Sequence, residues 1–150
     1  MRALITPVVL VAVAVACSSA PTAPAQSEPT IQELRSAPQV VVISGLTIEP
    51  NVTLRRNFQP LASDVGVLVT IRLPASAASV AVERVWLLLG DEMWSGDTIR
   101  NSGSGPTEWV TRDGPKWSPG VTVDVVCRVR GSDGIGRLVR TAAVSIIAVA

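Results

Sequence analysis

The chain has 150 residues, 13 of them basic and 12 acidic, and contains neither histidine nor tyrosine. A formal charge of +1 leaves no basic excess to grip phosphates, which argues against nucleic acid as a partner. Without histidine the usual general base and the commonest transition-metal ligand are gone, and with them any Ser-His-Asp or Cys-His nucleophile. No catalytic activity and no cofactor or metal are expected.

The first 16 residues read as an export signal. Arg2 is followed by an uncharged run from Ala3 to Ala16, and then by the polar exit Ser18-Ser19-Ala20-Pro21. Basic start, apolar middle and small residues before a polar exit make a secretory signal peptide. The run is shorter than the roughly 20 apolar residues of a spanning helix. Its end, Ala14-Val15-Ala16-Cys17, resembles the lipobox of bacterial lipoproteins, with Ala14 where that motif most often carries leucine. The resemblance implies cleavage after Ala16 and lipidation of Cys17. One acyl chain anchors only marginally, and the family meets that need with several chains on one cysteine. Ser18 fits outer-membrane sorting in diderm members. The implied address is the bacterial cell envelope, lipid-anchored.

Residues 17–37 form a Ser/Ala/Pro/Thr/Gln-rich tract, expected to be a disordered tether. Gln32-Glu33-Leu34-Arg35 allows one helical turn and nothing extends it. Residues 38–150 are one domain's worth of chain.

From Gln39 the pattern is that of strands. Val40-Val41-Val42-Ile43 is a β-branched run, interrupted at Gly45 by an expected bulge or kink and resumed by Leu46-Thr47-Ile48. Pro50-Asn51 ends it. Val65, Val67, Val69, Ile71 and Leu73 alternate with other residues, the clearest period-2 signal in the chain. Val80 to Leu89 is a further apolar strand holding Trp86. Met93-Trp94, Thr98-Ile99-Arg100 and Glu108-Trp109-Val110-Thr111 are short strands separated by Gly- and Asp-rich turns. Val121, Val123, Val125, Cys127 and Val129 alternate. Gly131-Ser132-Asp133-Gly134 closes a hairpin, and a last strand runs from about Arg137 to Val149.

About seven short strands with regular turn signals and no convincing helix predict an all-β antiparallel sandwich. The domain resembles an immunoglobulin-like or fibronectin-like module. Trp86 on the third long strand and Cys127 on the penultimate one stand where such domains place the core tryptophan and the second cysteine. Val67 and Val69 replace the first cysteine, and Val125 replaces the tyrosine of the tyrosine corner, so neither hallmark is complete. Trp117-Ser118-Pro119-Gly120 is similar to stretches in modules of bacterial surface proteins. Fold likeness carries no function by itself.

Cys127 reads as a buried, inert thiol. A disulfide to Cys17 remains open only if Cys17 carries no lipid. Asp91, Glu92 and Asp97 crowd one turn without the spacing of a calcium loop and read as solvated. Turn chemistry explains Asp133. Asn51-Val52-Thr53 matches a glycosylation sequon of no use in a bacterial envelope. Arg55-Arg56 reads as a solvated loop pair. Trp94, Trp109 and Trp117 are the tentative ligand or partner contacts, although a core-filling role competes for them in a chain with one phenylalanine. The expectation is a non-catalytic binding or scaffolding module with a protein partner. The alternative is glycan binding by exposed tryptophans.

Overall fold

The computed structural model describes residues 27–57, 65–105 and 107–149. Cys17 and the segment expected to be a signal lie outside them. The described chain holds one short α-helix, α1 (Ile31–Arg35), one 3-10 turn (Ala75–Ala77) and ten strands: β1 (Val41–Ile43), β2 (Leu46–Ile48), β3 (Asn51–Asn57), β4 (Leu68–Arg72), β5 (Ala81–Leu89), β6 (Glu92–Asp97), β7 (Ile99–Arg100), β8 (Glu108–Thr111), β9 (Thr122–Arg130) and β10 (Gly136–Val149). The all-β expectation holds. The sheet is mixed, not purely antiparallel, and the strand segments outnumber the seven expected.

Strands β3 to β10 form one sheet in the order β6-β5-β9-β10-β3-β4-β8-β7. Every pairing in it is antiparallel except that of β10 with β3, which runs parallel from Ile146 opposite Leu54 to Val149 opposite Asn57. Strand β10 joins the two halves because it is long enough to pair twice. Its first part lies along β9, and its end also reaches β3. A bulge between Thr141 and Val144 inserts one residue relative to β9. One extra residue inverts the alternation of faces, so Val139 before it and Ile146 after it both point into the core. Ala143 in the bulge has a left-handed backbone, φ 56°. Asp124 braces it, accepting from the Ala143 N–H at 3.1 Å and from Arg140 at 3.3 Å.

A single large core draws on both halves. Leu54, Val69 and Ile71 from one half meet Val85, Leu87, Val125, Cys127 and Val129 from the other. Period-2 alternation on β4 and β9 dictates that face.

Two sequence expectations are corrected near the start of the domain. Gly45 marks no bulge: Ser44 and Gly45, with φ 51° and 80°, form the two-residue turn of a β1–β2 hairpin. Arg55 and Arg56 are no loop pair. They lie on β3, the strand that ties the halves together.

The largest correction concerns the tether. Residues 27–37 are not disordered. Thr30 and Glu33 form a capping box, the Thr30 hydroxyl accepting from the Glu33 N–H while the Glu33 carboxylate accepts from the Thr30 N–H. Leu34 is fully buried and Ala37 nearly so. They pack with Trp86, Leu88, Val126 and Leu138 in a second cluster on the outer face of β5, β9 and β10. The segment is a strap over that face. Trp86 is therefore core, as expected, but of this satellite cluster and not of the main interior. Val85 and Leu87 take the inward positions.

Candidate functional site

The strap and the sheet beneath it share a polar rim. The Trp86 indole N–H donates to Glu28 at 2.8 Å, and Arg84 pairs with the same carboxylate oxygen at 3.4 Å. Arg84 and Arg128, opposite each other on β5 and β9, both approach the Trp86 ring, at 5.9 and 5.0 Å from its centroid. The Arg35 guanidinium donates to the Gly90 carbonyl, and the Arg140 N–H donates to the Pro38 carbonyl at 2.8 Å. This face is covered.

The three tryptophans named as contacts are placed inward or sideways. Trp109 on β8 is 8% exposed, with Arg100 stacked 4.7 Å from its ring centroid. It is corrected from a surface contact to a core residue, because its strand position faces the interior beside Thr111. Trp94 is half-buried against the main core and lies over Gly96, where an added Cβ would stand 2.4 Å from the indole Cη2. Trp117 is also half-buried, and its indole N–H donates to Glu92 at 2.9 Å. None of the three is an exposed residue.

The acidic turn is solvent-exposed, as its sequence suggests, and its carboxylates make surface contacts. Asp91 pairs with Arg35, Asp97 with Arg84, and Glu92 receives Trp117. Among the described residues no group of three or more His, Cys, Asp or Glu side chains stands together as a metal would need. Cys127 is 1% exposed, and burial pushes its thiol up to about 12. At that value the nucleophilic thiolate is absent at neutral pH.

The outer face of β3, β4 and β8 is a second surface with convergent polar groups. Alternation puts Thr53 and Arg55 of β3, Leu68, Thr70 and Arg72 of β4, and Glu108 and Val110 of β8 on it. Glu108 organises it. The carboxylate is 5% exposed, accepting from Arg72 Nε at 2.6 Å and Asn101 Nδ2 at 2.6 Å. The Arg72 guanidinium, with help from Asn101 and Ser104, holds this carboxyl below its ordinary range. Asn101 also donates to Ser104 at 2.9 Å, and its backbone N–H donates to the Glu108 carbonyl at 2.9 Å. The loop after β7 is thus pinned over the sheet face. It borders two adjoining cavities that share Leu68 and Asn101: a polar one of about 250 Å³ and a more apolar one of about 280 Å³.

Sequence reasoning missed this face because it missed β3. The signal was present: Val52 and Leu54 alternate with Thr53 and Arg55 directly after Pro50-Asn51.

Compared with protein-family models, with curated proteins and with solved structures, the chain matches none.

Proposed function

We propose that the protein is a lipid-anchored cell-envelope module that displays one immunoglobulin-like β-sandwich and binds a protein partner without catalysis. The observation that carries the anchor is the burial of Cys127. With that thiol sealed in the core, the competing fate of Cys17, an intramolecular disulfide, would require opening the sandwich. Cys17 then follows the chemistry that its Ala14-Val15-Ala16-Cys17 context implies.

Strand order supports the sandwich reading. Taking β3 to β10 as strands A, B, C, C′, D, E, F and G gives the sheets A-B-E-D and C′-C-F-G of that architecture. The departures are the parallel contact joining the sheets and the outward turn of Trp86. A non-catalytic role is supported by a sealed thiol, the absence of histidine, and an acidic turn whose carboxylates are engaged by Arg35, Arg84 and Trp117. The glycan alternative needs exposed indole faces. Buried Trp109 and half-buried Trp94 and Trp117 favour the protein partner.

The test is the intact mass of the protein in the membrane fraction, beside Cys17→Ala. A chain beginning at Cys17 with added acyl mass, lost in the variant, is the expected result. An unmodified chain in both would overturn the anchor and leave a free exported domain.

A further inference from the structure

We propose that the outer face of β3, β4 and β8 is a two-chambered site for an extended peptide bearing a carboxylate and an apolar side chain two positions apart. The inference rests on the binding-module reading above and is independent of the lipid anchor.

The polar chamber is lined by Thr53, Arg55, Thr70, Arg72 and Ser104. Its one acid, Glu108, is spent: one carboxylate oxygen accepts from Arg72 and the other from Asn101. Two guanidinium groups against one neutralised carboxylate leave the chamber cationic. Its donors are also free. Among the described residues Arg55 has no hydrogen-bond or ion-pair partner, Arg72 engages only through Nε, and the Thr53 and Thr70 hydroxyls are unpaired. An arginine with both Nη groups open is shaped for a carboxylate.

The neighbouring chamber offers the opposite chemistry. Val65, Leu68 and Val110 line it, with Arg112, again unpartnered among the described residues, and Asp113 at its border. The polar chamber lies over β3 and β4 and the apolar one over β4 and β8. They are also displaced along β4, the polar chamber reaching from Leu68 to Arg72 and the apolar one from Val65 to Leu68, and the step from Thr70 to Leu68 is the ~6.8 Å between same-side residues of an extended chain. A carboxylate between Arg55 and Arg72 therefore leaves the next same-side residue over Leu68. The pinned loop at Asn101 and Ser104 makes the cleft pre-formed, which limits the ordering cost of binding. A sugar would leave the apolar chamber unused and find, among the described residues, no aromatic ring lining either chamber.

Fluorescence anisotropy tests this with the full chain carrying Cys17→Ala. The probe is an end-blocked, fluorescein-labelled hexapeptide with glutamate and leucine two positions apart in a serine–glycine background. Saturable binding is expected, weakened about tenfold by glutamine in place of the glutamate, and about tenfold by Arg55→Ala. Leu68→Ala should weaken binding through the apolar residue alone, leaving the glutamate-to-glutamine ratio intact. Arg55 is exposed, so its variant keeps the fold, which far-UV circular dichroism checks; Arg55→Lys should recover part of the affinity. No saturable binding, equal binding of the glutamine peptide, or indifference to Arg55→Ala would each overturn the site. Glucuronate competing as well as the peptide would overturn the peptide assignment in favour of an acidic sugar. A protein partner whose capture survives Arg55→Ala would overturn this site while leaving the module reading standing.

Discussion

Leu34→Ala should release the strap while leaving the β domain folded. Leu34 is fully buried, and its neighbours Trp86, Leu88, Val126 and Leu138 lie on the outer face of the sheet, across from the main core. Truncating a buried leucine to alanine costs 2–5 kcal/mol, depending on how well the site collapses. A cost of about 2.8 kcal/mol shifts an equilibrium a hundredfold. That cost falls on docking of residues 28–37, because undocking needs no change in the interior. The remaining attachments are the exposed pair Glu28–Arg84, the Glu28–Trp86 hydrogen bond and the Arg35 and Arg140 contacts, which are modest on a surface. The assay is acrylamide quenching of tryptophan emission, followed by urea unfolding. Emission should shift to the red, and one of the four tryptophans should become quenchable; adding Trp86→Phe should abolish that change. The unfolding free energy from the urea curve should fall by less than the full 2–5 kcal/mol, since global stability loses no more than the docking energy. Unchanged emission together with a full loss of stability would refute the reasoning and make the strap part of one cooperative core.

Three further outcomes follow from local geometry. Ala143→Gly should raise the unfolding free energy by about 0.5–1 kcal/mol, read as a higher urea midpoint at unchanged slope, since φ of 56° costs an L-residue about 1–2 kcal/mol and glycine returns part of that as unfolded-state entropy. Cys127→Ser places a hydroxyl in the core beside Val125 and Val129, and should cost about 1–3 kcal/mol. In the wild type, a thiol reagent at pH 8 should label Cys127 only as fast as the chain unfolds. Glu108 has a carboxyl depressed by Arg72 and Asn101, so its contribution is present above the unfolded value near pH 4.3 and drains as pH falls through the folded value. The protection factors of Asn101–Gly105, taken relative to intrinsic exchange at each pH, should therefore fall on acidification from pH 5 to pH 3, and Glu108→Gln should remove that fall.

How much was legible in the sequence varies by element. The alternation of Val65 to Leu73 and of Val121 to Val129 placed β4 and β9 and their inward faces, although Val65 itself is exposed ahead of β4. The turn residues placed β8 to the residue. Elsewhere the signal was present but read too locally. Val85-Trp86-Leu87-Leu88 and Val125-Val126 break alternation because both faces of β5 and β9 are buried. Doubly apolar strands demand a cover, and the cover was Leu34 and Ala37 in a stretch whose composition alone suggested a spacer. The candidate site was lost with β3, whose arginines read as loop residues.

What the sequence by itself determined is therefore the all-β class, the inward faces of the alternating strands, the burial of Cys127 and the absence of histidine chemistry. These depend on periodicity and on residue type, which are local properties. The tertiary structure decided the rest. The β10 bulge chose which parity of its residues faces the core, the parallel contact with β3 joined the two halves, and the strap turned Trp86 into an outer-face residue. It also brought Arg55, Leu68, Arg72 and Glu108 together from three strands. Such placements arise from contacts between residues far apart in the chain, whose energies no single segment carries.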